Sequence, residues 1–186
     1  MAGNQAGQTW QAKLVARYPL FFHVITEQGR THTPGGPTCG DGWRELVETA
    51  VGRIADALAA APPARVVTGQ SRKNTRLCAC TGHGKDLDAA TERAVKEAVA
   101  LAEARSACTC ETCGKPGRLF KRGGWYLTAC DEHAKGDLVP AKPGFENVHI
   151  VRTVDAGRIR IVSCRRYIRE TDTFVDIDPH SLGIEE

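Results

Sequence analysis

Residues 110–133 read CETCGKPGRLFKRGGWYLTACDEH, and the predicted fold is built around this stretch. Two residues separate the members of each of its ligand pairs, Cys110 with Cys113 and Cys130 with His133. Three thiolates and one imidazole at this spacing are typical of a structural zinc site with four protein ligands. The sequence therefore predicts one Zn²⁺ ion bound by these four residues. Such a site leaves no coordination position for water or substrate, so the ion is expected to stabilise the fold.

The residues between and after the ligand pairs predict how this segment folds. Arg118–Lys121 and Trp125–Ala129 predict two strands joined by a Gly-Gly pair, which suits a tight hairpin turn. Acidic residues after Cys130 and a glycine at position 136 predict a short helix that presents Cys130 and His133 on one face. A knuckle, a hairpin and a helix make a treble-clef-like zinc module. A second knuckle in place of the helix would make a zinc ribbon.

The other five cysteines are explained differently. Cys78, Cys80 and His83 form a Cys-x-Cys-x-x-His string that lacks a fourth metal ligand. Packing is favoured there, because alternation puts both cysteines on one strand face and small buried cysteines are common. Cys108 lies near enough in sequence to substitute for Cys110. His32 and Cys39, in a glycine- and proline-rich loop, could reach a metal, and either could supply the fourth ligand of the Cys-x-Cys-x-x-His string. Cys164, near the C-terminus, is left without a predicted metal role.

Hydrophobic periodicity predicts the helices. Trp10–Tyr18 predicts a short amphipathic helix, followed by a buried strand or extended segment over 20–26 and a loop over 28–40. A long helix begins near Asp41, the expected N-cap, and a second one begins at Asp86 or Asp88 and runs to about residue 107. The apolar face of the first long helix is formed by Trp43, Leu46, Val47, Ala50, Val51, Ile54 and Leu58.

Shorter apolar runs predict strands. Arg65–Val67 and Thr75–Thr81 are two of them, and Val148–Thr153 with Arg158–Cys164 predicts a hairpin that Thr173–Ile177 extends. The predicted fold class is α+β: two long amphipathic helices with short strands, a treble-clef-like zinc module and a C-terminal β-hairpin appendage. The expected boundaries are a core over 1–107, a zinc module over 108–140 and an appendage with an acidic tail over 141–186.

The charge is unevenly distributed. Twelve basic and six acidic residues lie between Thr109 and Arg169, whereas residues 170–186 hold six acids and no base. A basic body with an acidic tail is compatible with binding nucleic acid or an acidic protein surface. A solubilising surface is the alternative. No apolar run approaches the roughly 18–20 residues of a membrane-spanning helix, and the N-terminus lacks the features of a signal peptide, so no membrane association is expected.

From Trp10 to about Lys135 the chain resembles a group of small proteins encoded by phages and prophages. The resemblance rests on Tyr-Pro-Leu-Phe at 18–21, Cys-Gly-Asp-Gly-Trp at 39–43 and the two ligand pairs with the Gly-Gly-Trp between them. The group's central segment resembles Val-Lys-Glu-Lys-Phe-Gly-x-Leu-Arg-Phe, whereas the segment from Ser71 here keeps the basic character and loses the Phe-Gly. The resemblance implies the fold, a phage origin and the cytoplasm of a bacterial host cell rather than an activity. The segment from Phe145 lies outside it.

The sequence predicts a non-enzymatic binding protein. A nuclease of the His-Asn-His type needs a histidine in the hairpin, which has none, and the glycines lack the spacing of a phosphate-binding loop. The expected partner is nucleic acid or a host nucleoprotein complex. Trp125 or Tyr126 could stack on a base, although Trp125 is expected to pack against the hairpin. The candidate contact residues are basic: Arg72, Lys73, Arg76, Lys115, Arg118, Lys121, Arg122, Arg158, Arg160, Arg165 and Arg166.

A phage anti-defence protein that acts by protein–protein interaction is the alternative. Its target would be a host nucleoprotein such as a CRISPR effector, and the acidic tail would imitate phosphates. Both functions require charged surface and no catalysis, so the sequence leaves the choice between them, and the oligomeric state, open.

Overall fold

The structure, a computed structural model, describes residues 9–19, 21–22, 24–33, 36–59, 65–70, 77–82, 87–155 and 157–184. For residues 31, 65–70, 77–82, 154–155, 158–160 and 162 it describes the backbone alone. The predicted α+β class is confirmed. The helices are α1 Trp10–Arg17, α2 Arg44–Leu58 and α3 Ala89–Ala107, with 3-10 helices at Asp41–Trp43 and Pro179–Leu182. The strands are β1 Ile25–Glu27, β2 Arg30–His32, β3 Arg65–Gln70, β4 Leu77–Gly82, β5 Arg118–Arg122, β6 Trp125–Ala129, β7 Asp137–Leu138, β8 Val148–Asp155, β9 Arg158–Ile168 and β10 Thr173–Ile177.

The helical core forms where the periodicity predicts it. All seven apolar residues predicted for the face of α2 are buried, and Trp43 has no exposed surface. They pack against Trp10 and Leu14 of α1, and Ile54 and Leu58 continue the core against α3. Burial of this continuous apolar face stabilises the helices, because isolated helices of this length are marginal in water.

The N-cap prediction is correct for α3 and wrong for α2. Asp88, one of the two predicted caps, is the N-cap of α3, since its carboxylate accepts the amides of Ala90 at 2.9 Å and Thr91 at 3.0 Å. The Thr91 hydroxyl and these amides lower the pKa of Asp88. Asp41 is not the N-cap of α2, which was the prediction. Its carboxylate accepts the indole N–H of Trp10 at 2.8 Å and so ties α1 to the start of α2.

The segment after α1 was predicted wrongly in part. β1 begins only at Ile25, and β2 lies inside the stretch that was predicted to be a loop. The two strands form a hairpin because Gln28 and Gly29 both take positive φ angles, of 50° and 74°, as a two-residue hairpin turn requires. Three-residue strands carry too little alternation to be recognised. Within the predicted strand over 20–26, Leu20 and His23 lie outside the described residues.

The strands around the metal-ligating residues form one antiparallel sheet in the order β6-β5-β7. The helix predicted over 130–136 is wrong. Residues 131–133 form a turn in which the His133 amide donates to the Cys130 carbonyl at 3.1 Å, and the chain then enters β7. Gly136 crosses tightly over β5, where a Cβ would come within 2.2 Å of the Lys121 carbonyl oxygen. Pairing of β7 with β5 leaves too few residues for a helix.

The C-terminal sheet has the order β10-β9-β8 and contacts the helices. Arg165 of β9 pairs with Glu97 of α3 at 2.7 Å, and Asp172, which precedes β10, pairs with Arg53 of α2 at 2.8 Å. Tyr167 is buried between these contacts. The appendage predicted over 141–186 therefore packs on the helical core.

No helix among the described residues is both long and apolar enough to cross a membrane.

Candidate metal centre

The four predicted ligands converge. The Nδ1 atom of His133 lies 3.7 Å from the Cys110 sulfur and 3.2 Å from the Cys130 sulfur, and the sulfurs of Cys113 and Cys130 are 3.7 Å apart. All four ligand atoms lie within 4.8 Å of one another. A tetrahedral zinc ion with ordinary bond lengths requires sulfur atoms about 3.8 Å apart and sulfur–nitrogen separations of about 3.5 Å. These residues could therefore hold one metal ion.

The first ligand turn, residues 110–114, follows α3 directly. The Gly114 amide donates to the Cys110 carbonyl at 2.9 Å, and the Cys110 amide donates to the Lys115 carbonyl at 2.8 Å. Cys110 is the inner ligand, with no exposed surface, whereas Cys113 is exposed. The second ligand turn, residues 130–133, continues β6, so the hairpin sets the distance between the two turns.

The thiol electrostatics suit a cation. Burial by itself raises the pKa of Cys110, but the backbone amides of Cys130, Cys113 and Thr112 outweigh it and bring that pKa to about 6. The Lys115 amide lowers the pKa of Cys113, yet burial and hydrogen bonding to the Cys110 and Cys130 sulfurs leave it above its ordinary value. Thiolates crowded in this way repel one another, and a bound cation removes that repulsion.

Residues 40–43 lie directly against the first ligand turn. The Gly42 amide donates to the Glu111 carbonyl at 2.9 Å, and the Gly40 amide donates to the Glu111 carboxylate at 3.1 Å. A Cβ on Gly42 would lie 2.3 Å from the carbonyl oxygen of Cys110. Glycine is therefore required for this approach. This contact gives a physical reason for the Gly-Asp-Gly-Trp segment, in which the sequence predicts a helix start and on which the resemblance to phage proteins partly rests.

Two further hydrogen bonds join distant elements to the first ligand turn and to Thr109, the residue just before it. The indole N–H of Trp43 donates to the Thr109 carbonyl at 2.8 Å, inside the core. The guanidinium of Arg169, which follows β9, donates to the Gly114 carbonyl at 2.9 Å. The helical core and the C-terminal sheet therefore both contact backbone atoms of the metal-ligating turn.

The other cysteines are outside this centre. The Cys108 thiol donates to the carbonyls of Ala104 and Arg105, at 3.6 and 3.4 Å, so it does not substitute for Cys110. Cys39 is buried, and burial, followed by the charge of Glu111, raises its pKa to about 11. Cys164 is also buried. No second group of metal-ligating residues occurs in the described part of the chain. That part excludes His83 and the side chains of Cys78 and Cys80.

Two of the predicted basic contacts are paired with the second ligand turn. Lys115 contacts both carboxylate oxygens of Glu132 at 2.9 Å, and Arg118 pairs with Asp131. The pKa of Lys115 is raised and that of Glu132 lowered by this pairing. All four side chains are more than half exposed. Such pairs are weak in water and exchange readily, but they reduce the positive charge available to a partner.

Arg165 and Arg166 hold the C-terminal sheet in place. Arg165 pairs with Glu97 and lies over the Phe174 ring at 4.2 Å. Arg166 donates to the carbonyls of Gly144 and Glu146, at 2.9 and 2.8 Å. These contacts engage one guanidinium nitrogen of Arg165 and two of Arg166, although both residues were predicted to bind a partner.

The remaining predicted contacts of this group fall where side chains are not described. Arg72, Lys73 and Arg76 lie outside the described residues, and Arg158 and Arg160, at the start of β9, are described by their backbone alone. A β-bulge interrupts the pairing of β8 with β9. Val151 pairs with Ser163 and Arg152 with Ile161, so β9 has one more residue than β8 at this point.

The hairpin tip, Lys121–Tyr126, differs from these paired regions. Trp125 is 60 % exposed, contrary to its predicted packing against the hairpin. Arg122 lies directly opposite Trp125 in the register, and Lys121 lies opposite Tyr126 with its ammonium 5.7 Å from that ring centre. Within the described residues, neither cation has an ion pair at 4 Å or less. The position of Trp125 next to a two-residue turn is the signal for exposure, because a tip residue extends beyond the apolar residues of the sheet.

Comparison of the chain with protein-family models, curated proteins and solved structures found no match in any of the three.

Proposed function

We propose that the protein is a zinc-stabilised, non-enzymatic module that binds nucleic acid through the hairpin tip. The ion assigned is Zn²⁺, because three thiolates and one imidazole in a closed tetrahedral set are the donors that this ion prefers. The ligand turns lie at both ends of the hairpin, and residues 131–133 form a turn rather than a helix, which supports a ribbon-like module rather than a treble clef.

Metal analysis of protein purified without added metal tests the zinc assignment. We expect close to one equivalent of zinc, which Cys113→Ser abolishes, since Cys113 supplies one of the four ligand atoms. Cys108→Ser is the matched control, because a serine hydroxyl can replace the thiol that caps α3. Zinc near zero in the unmodified protein, or equal zinc in both variants, would overturn the assignment.

The hairpin tip carries the nucleic-acid proposal. From Gly117 to Ala129 the chain contains three basic residues and no acid. Arg118 is paired with Asp131, which leaves Arg122 opposite the exposed Trp125 and Lys121 opposite Tyr126. Lys121 lies opposite Asp137 of β7, so Arg122 is the less neutralised of the two cations. Unpaired cations beside an exposed aromatic ring suit a phosphate backbone with accessible bases.

Salt titration of the affinity for labelled oligonucleotides tests this proposal. Replacing Lys121 and Arg122 together by Ala should weaken binding to all sequences alike and reduce the slope of log K against log salt by about one per cation lost. Arg44→Ala is the control, since it removes an exposed arginine that pairs within α2 at 2.9 Å. Absence of salt-sensitive binding to any nucleic acid would sink the proposal.

The acidic tail, residues 170–186, gives the anti-defence alternative less support than the hairpin tip gives nucleic-acid binding. Imitation of phosphates requires free carboxylates, but Asp172 accepts from Tyr167 and pairs with Arg53. Asp178 is engaged as the cap of the last 3-10 helix, where it accepts the His180 amide at 3.0 Å. A host nucleoprotein retained by the protein after nuclease treatment would favour this alternative over direct binding.

A further inference from the structure

We infer that the hairpin tip takes single-stranded nucleic acid, with an unpaired base stacked on Trp125 and the adjoining phosphate on Arg122. This inference rests on the proposed function and specifies its ligand.

The two faces of the hairpin supply the geometry. Directly opposite residues of an antiparallel pair project to the same face, so Arg122 shares a face with Trp125, and Lys121 shares the other with Tyr126. Each face of the tip thus combines one cation with one aromatic ring. A nucleotide has the matching pair of groups, a flat apolar base and an anionic phosphate.

Exposure distinguishes the two rings. Tyr126 is half-buried and already has the Lys121 ammonium near its ring, whereas no ring contact or cation–π contact involves Trp125 in the described part of the chain. An indole left 60 % exposed retains a large apolar surface in water. Stacking on a base covers that surface, and such stacks are tolerant of sequence because every base has a flat face.

The shape of the tip favours an unpaired strand over a duplex. Atoms added at Gly123 or Gly124 would meet nothing within 4 Å, so the turn projects into solvent. In a duplex the base faces are stacked on one another and cannot meet an indole. A two-residue turn is also narrow, and with only two cations it neutralises little of a duplex backbone.

Charge favours nucleic acid over a protein partner. Exposed tryptophan and arginine also occur at protein interfaces. The strands and turn that carry them, however, hold three basic residues and no acid, which complements a polyanion.

The test compares single-stranded DNA, single-stranded RNA, a duplex and an abasic strand that keeps the phosphates and lacks the bases. We expect Trp125→Ala to weaken binding of the normal single strands by about five- to a hundredfold and to leave abasic binding unchanged. Trp125→Phe should retain most of the affinity. Val175→Ala, which shortens a side chain that is 54 % exposed on β10, is the control and should have no effect.

Tryptophan fluorescence gives a second readout, because Trp10 and Trp43 are buried and Trp125 is the exposed indole. A single strand with bases should quench the emission, and an abasic strand should not. Equal, salt-sensitive binding of duplex and single strands that Trp125→Ala leaves unchanged would overturn this inference and leave the proposed function standing. No binding of any nucleic acid, with a protein partner captured instead, would overturn both.

Discussion

At the scale of single residues, Gly42 permits the helical core to meet the metal-ligating turn. Its missing side chain lets the chain pass within contact distance of Cys110, and the space is bounded by backbone atoms of Cys113 and Gly114. Backbone atoms cannot move aside as the end of a flexible side chain can. The position therefore tolerates no Cβ without displacement of the ligand turn.

Replacing Gly42 by Ala should destabilise the protein by about 1–3 kcal/mol, the usual range for overpacking, and reduce metal affinity. Gly52→Ala is the matched control. Gly52 lies within α2, where a Cβ would make an ordinary contact at 3.6 Å with the Tyr18 hydroxyl. Alanine there should stabilise the helix by about 0.5–1 kcal/mol. Urea unfolding measures the change in stability of each variant. Equal stability of Gly42→Ala and the unmodified protein would contradict the close approach of Gly42 to Cys110.

At the scale of elements, β9 is attached to the helices through Asp172. The Tyr167 hydroxyl donates to this carboxylate at 2.6 Å, and the same carboxylate pairs with Arg53 of α2 at 2.8 Å and approaches Arg105 of α3 at 3.6 Å. One acid thus connects the C-terminal sheet to both long helices. Burial, and then the hydrogen bond to Asp172, raise the pKa of Tyr167 above its ordinary value.

A raised pKa makes the tyrosine's contribution depend on pH in a defined direction. The folding stability that the Tyr167 hydroxyl contributes is fully present below the ordinary tyrosine pKa of 10.0. It is lost as the pH rises above that value, because the tyrosine ionises first in the unfolded chain. Tyr167→Phe should cost about 1 kcal/mol near neutral pH, the usual worth of one hydrogen bond. Thermal unfolding between neutral and alkaline pH should show the unmodified protein losing stability faster than Tyr167→Phe above pH 10.0. If both proteins lost stability in parallel as the pH rose, the Tyr167 hydroxyl would not be buried and hydrogen-bonded as described.

At the scale of the whole molecule, the first ligand turn is the meeting point of the metal-ligating sheet, the helical core and the C-terminal sheet. Glu111, Thr109 and Gly114 provide the backbone or side-chain partners for these contacts. A metal ion that orders this turn would therefore also order elements that supply no ligand.

Metal removal by a chelator should reveal this coupling in hydrogen exchange. We expect amide protection to fall in β5–β7, at the start of α2 and in β9–β10. The first turns of α3 should keep their protection, because Asp88 caps them and they lie far along the helix from the ligands. Arg169→Ala removes the donor to the Gly114 carbonyl. In this variant, metal removal should lower amide protection only in β5–β7 and at the start of α2. Unchanged protection of β9–β10 in the metal-free protein would contradict the coupling.

Local patterns were enough for part of the molecule. Trp43, Ile54 and the rest of the α2 face were identified from helical spacing, because a 3.6-residue period is a property of neighbouring positions. The close grouping of Cys110, Cys113, Cys130 and His133 was predicted for the same reason, since two cysteine-containing pairs with fixed short spacing can meet around one ion with little help from the rest of the chain. Asp88 could be recognised because a cap acts on the next three residues.

Long-range approach decided the remainder. The Asp41 carboxylate accepts from Trp10 instead of capping α2, Gly42 packs against Cys110, and Arg165 pairs with Glu97. In each case the partner is more than 30 positions away in the sequence. The predicted helix after Cys130 was replaced by a turn because β7 pairs with β5. Trp125 is exposed because the hairpin extends past the residues that could cover it. Burial and pairing depend on residues that are distant in sequence. The helices and the close grouping of the four Cys and His side chains were therefore predicted from sequence, whereas the exposure of Trp125 and the pairing of the arginines were decided only by the folded chain.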